Sequence, residues 1–489
     1  MFLQRGHECY FSSVTHWTNV YGQLVQSPDK KQAFSFQHSY SRVIEPESQH
    51  TPSGPFMTFK FYNVEIRDRV KCVSAVDGVP ISTQWGSQGH YYPIQIAQYG
   101  LSHYSKYLAS NEESRKSTFL ENGKFSNLWN VHSCETNSNK EILSYKCDNS
   151  GSISMPIDSS LKYEHFSVDW KISKNSTLLL VVEVKGGETF NLYYVQSNTL
   201  IKSRGNNIFY GFGKKSSGSD WFKLTRNIAI DVLKGMILRK PKKMKKKNKI
   251  LVNLLKIQFF GNGAIDNMTL SNQAHLDYFY YASKWLLLNQ DKSGGWPINV
   301  DRNLANGELE LSAGWYSAMA QGQAMSLLCR AYSRTGKKEY LEAAKKAAFI
   351  LSTPSSKGGV KAKFADKYDW YEEYPTQPPS FVLNGFIYAL IGLYDVYTLT
   401  EDQLSGKLYS DGMESLQTLL PLYDSGSGSF YDLRHYSLPG TAPNLARWDY
   451  HTTHINQLLL LNTIEQSSIF TKTAARWVGY MKGHRAKHN

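Results

Sequence analysis

The periodicity of this 489-residue chain changes once, near Asp266, and few folds accommodate such a change. Upstream, strand candidates recur at residues 165–172, 178–184, 189–196, 207–211, 221–230 and 250–260. Turns containing Gly, Asn or Ser separate them, the pattern of a β-sandwich. Downstream, apolar residues recur at helical spacing through residues 275–289, 315–334, 338–351, 381–397, 406–420, 454–464 and 470–482, with short Gly- or Pro-containing connections. Consecutive antiparallel helix pairs of this kind build an incomplete α/α toroid, whose functional residues belong in its loops. A chain of this length exceeds one ordinary core, so two or three domains are expected.

Nearer the amino end, residues 37–74 alternate and are rich in aromatic and β-branched side chains, which predicts strands and hairpins. Turn signals and a helix over 94–107 follow. The polar stretch 110–151 reads as a boundary or an insertion.

The net charge of +14 points to an acidic partner: nucleic acid, an anionic membrane surface or an acidic polysaccharide. Aromatic residues make up 13% of the chain, and rings beside cations suit sugars that bear carboxylates or sulfates, although most of them fill cores. No nucleic-acid-binding module accompanies the charge. The lysine cluster over 239–249 reads as a solvated hairpin tip. Cysteines at 9, 72, 134, 147 and 329 lack zinc-ligand spacing, and Cys134 and Cys147 are close enough for a small disulfide loop. Asn175 and Asn267 begin glycosylation acceptor triplets. No apolar run reaches membrane-span length and no signal-peptide pattern follows Met1, so the expectation is a cytosolic chain or one lacking its native amino end.

Two segments carry proton-handling chemistry. In Trp370-Tyr371-Glu372-Glu373-Tyr374-Pro375, the proline disfavours helix at Tyr374, so Glu373 and Tyr374 fall on an extended loop whose successive side chains point opposite ways. The helix after it contains Asn384 and Tyr388. The second segment runs from Tyr431-Asp432-Leu433-Arg434-His435 to Asn444, Arg447, Trp448, Tyr450, His451 and His454. A helix starting at Thr452 or Thr453 would set its positive end beside Tyr450 and ease formation of the phenolate. Arg434 is suited to a carboxylate. His451 and His454 read more readily as capping or packing residues than as metal ligands, since no HExxH pattern is present. Abstracting a proton beside a carboxylate builds charge that a cation must stabilise. Returning a proton to the opposite face inverts the centre, whereas protonating the leaving oxygen at C4 cleaves the chain.

These motifs, with Trp296-Pro297, the stretch from Gly314 to Gln323, Ser380-Phe381-Val382-Leu383-Asn384-Gly385, Tyr62 to Cys72, Ser82 to Gly86, His103-Tyr104-Ser105 and the terminal Arg485 to Asn489, resemble the heparan sulfate D-glucuronyl C5-epimerase family. The resemblance covers about residues 38–489. It implies a multidomain α and β fold: an amino-terminal β-hairpin-rich domain (1–110), a β-sandwich or barrel (111–262) and an α-helical, (α/α)-toroid-like catalytic domain (263–489).

The resemblance further implies an isomerase that converts D-glucuronate to L-iduronate at C5 within N-sulfated heparosan or heparan sulfate. Its catalytic tyrosines fall on Tyr374, Tyr431 and Tyr450, beside Glu373 and Arg434. The working assignment opposes Glu373 and Tyr450 as acid and base, lets Tyr374 and Tyr431 position or relay protons, and gives Arg434 the uronate carboxylate. Tyr62 and Tyr91 are expected in the cleft. Arg67 and Arg69 are expected to bind sulfated chain, and Asn384, Tyr388, Asn444, Arg447, Trp448 and His451 to contact substrate. The family implies no organic cofactor but a structural calcium, which would fall on Glu121, Ser126, Asn127 and Asp266. It also implies a homodimer in the Golgi lumen, a type II protein whose membrane anchor is absent from this sequence. Two departures stand out: an extra residue between Tyr431 and Tyr450, at Leu438-Pro439-Gly440, and uncharged residues at Asn303, Leu304, Ala305 and Asn306. The rival readings are a uronate-directed polysaccharide lyase and a non-catalytic glycosaminoglycan-binding protein.

Overall fold

The computed structural model describes residues 3–5, 8–13, 16–26, 32–36 and 42–487, apart from 122–126, 140–141, 159, 174, 214–220 and 240–249. The lysine cluster beyond Arg239 therefore lies outside the described residues, as does Ser126. Strands β1 (Leu3–Arg5), β2 (Glu8–Ser13), β3 (His16–Gln26) and β4 (Gln32–Phe36) form a four-stranded antiparallel sheet in chain order.

The alternating stretch at 56–62 is not a strand, contrary to its periodicity. Phe56 and Phe59 are fully buried around a 3-10 turn, Phe59–Phe61, and their rings pack with Tyr388 of the helical region. Ring burial outweighs local β propensity here. A three-stranded sheet follows, β5 (Val70–Val73), β6 (Pro80–Ser82) and β7 (His90–Tyr91), and then helix α1 (Pro93–Ala109). Proline at the first helical position suits that start, where no N–H is needed. Helix α1 and the residues Phe56, Phe59 and Val64 share one core with the carboxyl-terminal helices.

The central sheet has 11 strands. Its members are β8 (Ser117–Glu121), β9 (Asn130–Asn139), β10 (Ile142–Pro156), β11 (His165–Ile172), β12 (Thr177–Val184), β13 (Thr189–Val195), β14 (Ile201–Arg204), β15 (Asn207–Gly211), β16 (Trp221–Asn227), β17 (Val252–Phe260) and β18 (Asn262–Ser271). They run β14-β15-β13-β12-β17-β10-β18-β11-β16, with β8 beside β18 and β9 beside β10. The path is open, so this is a sandwich-type sheet and not a barrel. Alternate burial along β13 shows why one face holds the apolar core.

Three local readings change. The polar stretch after Ser110 contains β8, β9 and β10, and the disulfide Cys134–Cys147 joins register partners of the β9–β10 hairpin. The strand expected over 221–230 stops at Asn227, whose side chain accepts the Ile230 N–H and caps helix α2 (Ile228–Arg239). Strand β18 carries the sheet through Ser271, past both Asp266 and the boundary expected at 262.

The helical region comprises α3 (His275–Asn289), the hairpin β19 (Arg302–Leu304) and β20 (Leu309–Leu311), α4 (Ala318–Thr335), α5 (Lys338–Ser352), the hairpin β21 (Lys361–Phe364) and β22 (Tyr368–Tyr371), α6 (Leu383–Thr400), α7 (Gln403–Leu419), the short α8 (Arg434–Ser437), α9 (Trp448–Ile464) and α10 (Ser468–Met481). Helix α4 packs on α1, α5 and α6, while α6 also meets α7 and α9. A buried ion pair fastens the sandwich to the amino-terminal part: Arg226 binds Asp231 at 2.6 Å and donates to the Val73 and Ser74 carbonyls. Among the described residues, no helix is long and apolar enough to cross a membrane.

Candidate active site

The centre of the site is Glu373, buried where strand β22 runs out into the loop that precedes α6. The preceding residue, Glu372, holds that loop closed. Its carboxylate accepts the Phe381 N–H at 2.9 Å and the Ser380 hydroxyl at 3.1 Å, and its carbonyl accepts the Ala318 N–H. Burial pushes the Glu372 carboxyl up to about 8. The extended-loop expectation fails at the next step, because the chain bends at Glu373 and Tyr374. Glu373 accepts hydrogen bonds from Tyr374, from Tyr431 and from Asn384, the last at 3.1 Å, so neighbouring side chains converge instead of diverging.

Burial raises Glu373 to about 7 even against those hydrogen bonds and the nearby positive charge of Arg302. A carboxyl tuned to that range exchanges protons readily near neutrality. Tyr431 comes from the opposite segment. Its N–H donates to the Asn444 carbonyl at 2.7 Å and its carbonyl accepts the Leu383 N–H, which sets the ring over the start of α6. The Tyr450 ring meets it edge-on, 4.8 Å between centroids.

Tyr450 lies in the first turn of α9, which begins at Trp448 and not at Thr452 or Thr453. Burial, with the Glu373 charge nearby, holds the Tyr450 phenol above its ordinary range, and burial holds Tyr374 and Tyr431 well above it. All three therefore stay protonated at neutral pH, while Glu373 ionises in that range. The extra residue near Pro439 does not separate the two tyrosines. Residues Tyr431 and Asn444 hydrogen bond across it, and the turn at Pro439 and Gly440 is exposed.

Arg434 is not free for substrate in the way its position suggests. Its Nε and Nη2 both donate to Asp432, which is fully buried and also accepts from Asn444 at 2.7 Å. Asn444 thus braces that ion pair. Arg447 is exposed, pairs with Asp449 at 3.1 Å and lies over the Tyr450 ring. Trp448 packs edge-on against His451. His451 is buried, with Ser429 and the Trp477 carbonyl as partners, which makes it a packing residue and not a substrate contact.

The amino-terminal part supplies the other wall. Tyr62 stacks on Phe59 at 4.2 Å and hydrogen bonds Tyr388, one turn along α6 from Asn384. Arg67 lies over the Tyr62 ring and donates to Gln98, while exposed Arg69 is close enough to act electrostatically on Tyr450. Tyr91 does not join the group: its hydroxyl donates to Asp77 and its ring stacks on Trp285. The adjacent Tyr92 does, buried beside Trp85 and within electrostatic reach of Glu373, Arg69 and Tyr450. Trp85, Tyr92, Arg302 and Trp315 are the residues sequence reasoning missed. Trp85 and Tyr92 belong to the same aromatic run as Tyr91, and no periodicity separates them, because the chain turns at Trp85, φ 64°.

For the metal expectation, Glu121 accepts the Trp129 indole N–H at 2.6 Å through one carboxylate oxygen, and its other oxygen is buried without a partner. Strand β18 lies beside it, with Met268 opposite Glu121 and Asp266 two residues away. An orphaned buried carboxylate oxygen suits a hard cation with oxygen ligands. Among the described residues no cluster of three His, Cys, Asp or Glu forms, so such a site would lean on amide and backbone oxygens. Asn127 is exposed nearby in sequence. A small cavity elsewhere, lined by Glu65, His103, Arg226, Asp231 and Tyr278, shares no residue with the Glu373 group.

Comparison with known proteins points the same way. Residues 290–479 match the family model for the D-glucuronyl C5-epimerase C-terminus, and residues 139–262 that for the D-glucuronyl C5-epimerase beta-sandwich domain. A D-glucuronyl C5-epimerase of Caenorhabditis elegans is 37% identical, over 93% of this chain and 83% of that protein. An uncharacterised protein of Methanocaldococcus jannaschii is 31% identical over 37% of this chain and 56% of its own length. Among solved structures, a family 29 carbohydrate binding module from Piromyces equi covers 33% of this chain and 92% of its own at 13% identity, with a TM-score of 0.20, too low to carry an argument.

Proposed function

The chain belongs to the D-glucuronyl C5-epimerase family, and from that membership we propose that it inverts C5 of D-glucuronate to give L-iduronate within N-sulfated heparosan or heparan sulfate. The observation that carries the proposal is a buried carboxyl, Glu373, raised to about 7 and ringed by tyrosine hydroxyls that stay protonated at that pH. In the forward step Glu373 takes the C5 proton, and the electron pair of the broken C–H bond moves onto the carboxylate oxygens. The pair then returns to C5, which takes a proton from Tyr450 on the opposite face. Glu373 ends protonated and Tyr450 ends as phenolate. Tyr431, which touches both, is the path by which a proton returns and resets the pair.

Each proton donor or acceptor of this kind contributes roughly 10²–10⁴-fold. A uronate lyase would share the carbanion and send the second proton to the C4 leaving oxygen. Incubation of purified protein with N-sulfated heparosan in deuterated water separates the readings. Deuterium at C5 with intact chains is expected; ultraviolet-absorbing unsaturated ends would assign a lyase, and heparin binding without exchange a glycan-binding protein. A structural calcium would be held by Glu121, Asn127 and Asp266 and would brace β8 against β18; it takes no part in the proton steps. Family membership likewise motivates a homodimer in the Golgi lumen, attached by an amino-terminal anchor.

A further inference from the structure

Arg302, at the start of the β19–β20 hairpin, stands out among the charged groups of the site. Its guanidinium lies over the Trp85 ring at 4.7 Å and over the Tyr374 ring at 5.8 Å. Its Nε is buried without a hydrogen-bond partner, and among the described residues no carboxylate pairs with it. The platform beneath it is built at some conformational cost. Trp85 adopts a left-handed backbone, φ 64°, and its ring is packed by Tyr92 at 5.6 Å and Trp315 at 6.1 Å. A bulky residue keeps such a conformation only where its surroundings impose it. Arg434, a second guanidinium close to Glu373, already has its charge matched by Asp432, whereas Arg447 pairs with Asp449 and Arg67 donates to Gln98.

We propose that Arg302, held over the Trp85 ring, grips the carboxylate of the uronic acid whose C5 is inverted. The proposal rests on the epimerase reading for the identity of the sugar. Geometry motivates the choice of group: the carboxylate is bonded to C5, so a cation beside the base that attacks C5 meets that carboxylate first. Arg302 lies over the ring of Tyr374, whose hydroxyl bonds Glu373, and its charge is felt at Glu373 and at Tyr92. A guanidinium stacked on an aromatic face keeps its in-plane N–H groups for a bidentate anion. Charge on the carboxylate increases as the C5 proton leaves, so the same contact strengthens in the transition state.

The test is a binding cycle that needs no turnover. Calorimetry measures the affinity of wild type and of Arg302→Met for two N-sulfated oligosaccharides, one with glucuronate and one with its carboxyl groups reduced to alcohols. Methionine keeps an apolar stem on Trp85 and removes the charge. Wild type is expected to prefer the carboxylate ligand, and Arg302→Met to lose roughly tenfold of that preference, with Arg302→Lys recovering part of it. An unchanged preference in Arg302→Met overturns the proposal. Equal losses for both ligands also overturn it, since that pattern assigns Arg302 to a sulfate or to packing. Deuterium exchange by wild type is read separately, so a failure of the epimerase reading is distinguishable from a failure of the Arg302 contact.

Discussion

Glu373 lies directly against Gly385 of helix α6: a Cβ placed on that glycine would stand 2.5 Å from both the Cβ and the Oε2 of Glu373. The backbone of the helix is thus the wall that positions the carboxyl. Gly385→Ala is expected to fold, because the residue is helical, while pushing Glu373 off its position. A displacement of about 1 Å costs on the order of 10²-fold in turnover. Circular dichroism and C5 deuterium exchange check this together; wild-type exchange in the variant would refute it.

The pH dependence follows from the same residue. Glu373 acts as a base only when ionised, and its pKa is raised from 4.5 to about 7 by burial. The kcat/KM for exchange is expected to fall about tenfold per pH unit below that point and to level off above it. Stability runs the opposite way. A carboxyl raised on folding adds stability in full below 4.5 and loses it as pH rises through 7. Glu373→Gln should abolish exchange and lessen the decline of Tm between those values, leaving the part due to Glu372, which is raised to about 8.

Tyr450→Phe removes one hydroxyl from a ring that otherwise keeps its edge-on contact with Tyr431. Exchange should fall by roughly 10²–10⁴-fold while heparosan binding is retained. Turnover at the wild-type rate would remove Tyr450 from the mechanism.

Arg226 and Asp231 are both essentially buried and form a bidentate pair that also reaches the Val73 and Ser74 carbonyls. Removing one member leaves an uncompensated buried charge. Arg226→Ala is expected to lose about 3–5 kcal/mol, read from the denaturant midpoint, whereas Arg447→Ala at the exposed Asp449 pair should change stability by less than about 1 kcal/mol.

The long helices from His275 onward were legible because apolar recurrence at 3.6 residues is local, whereas α2 was hidden behind a strand expected over 221–230. Most ends fall within a few residues of expectation; α9, which begins six residues early and takes Tyr450 into its first turn, is the exception. The sandwich strands with one buried face were legible for the same reason, as β13 illustrates. Strand β9 was not: nearly all its residues are exposed, so no alternation marks it. Residues 56–62 alternate yet form no strand, since their rings are drawn into the helical core. The density of proton-handling residues marks the segments that hold Glu373, Tyr374, Tyr431 and Tyr450, but only the folded chain brings the four side chains together. Tyr92, and not Tyr91, lies within electrostatic reach of Glu373, and a lone arginine on a short hairpin such as Arg302 has no local signature.

By itself the sequence determined the two periodicities, the switch between them, the basic charge and the chemical kinds of residue available to a uronate site. Tertiary structure alone decided which of those residues act together and in what state. Glu373 becomes a carboxyl tuned near neutrality because folding removes it from water, and the tyrosines remain phenols for the same reason. Arg434 is neutralised by Asp432, two residues away in the chain, whereas Arg302 meets Trp85 and Tyr374 from distant segments. Desolvation and charge pairing depend on what surrounds a group in space, and those surroundings exist only once the chain has folded.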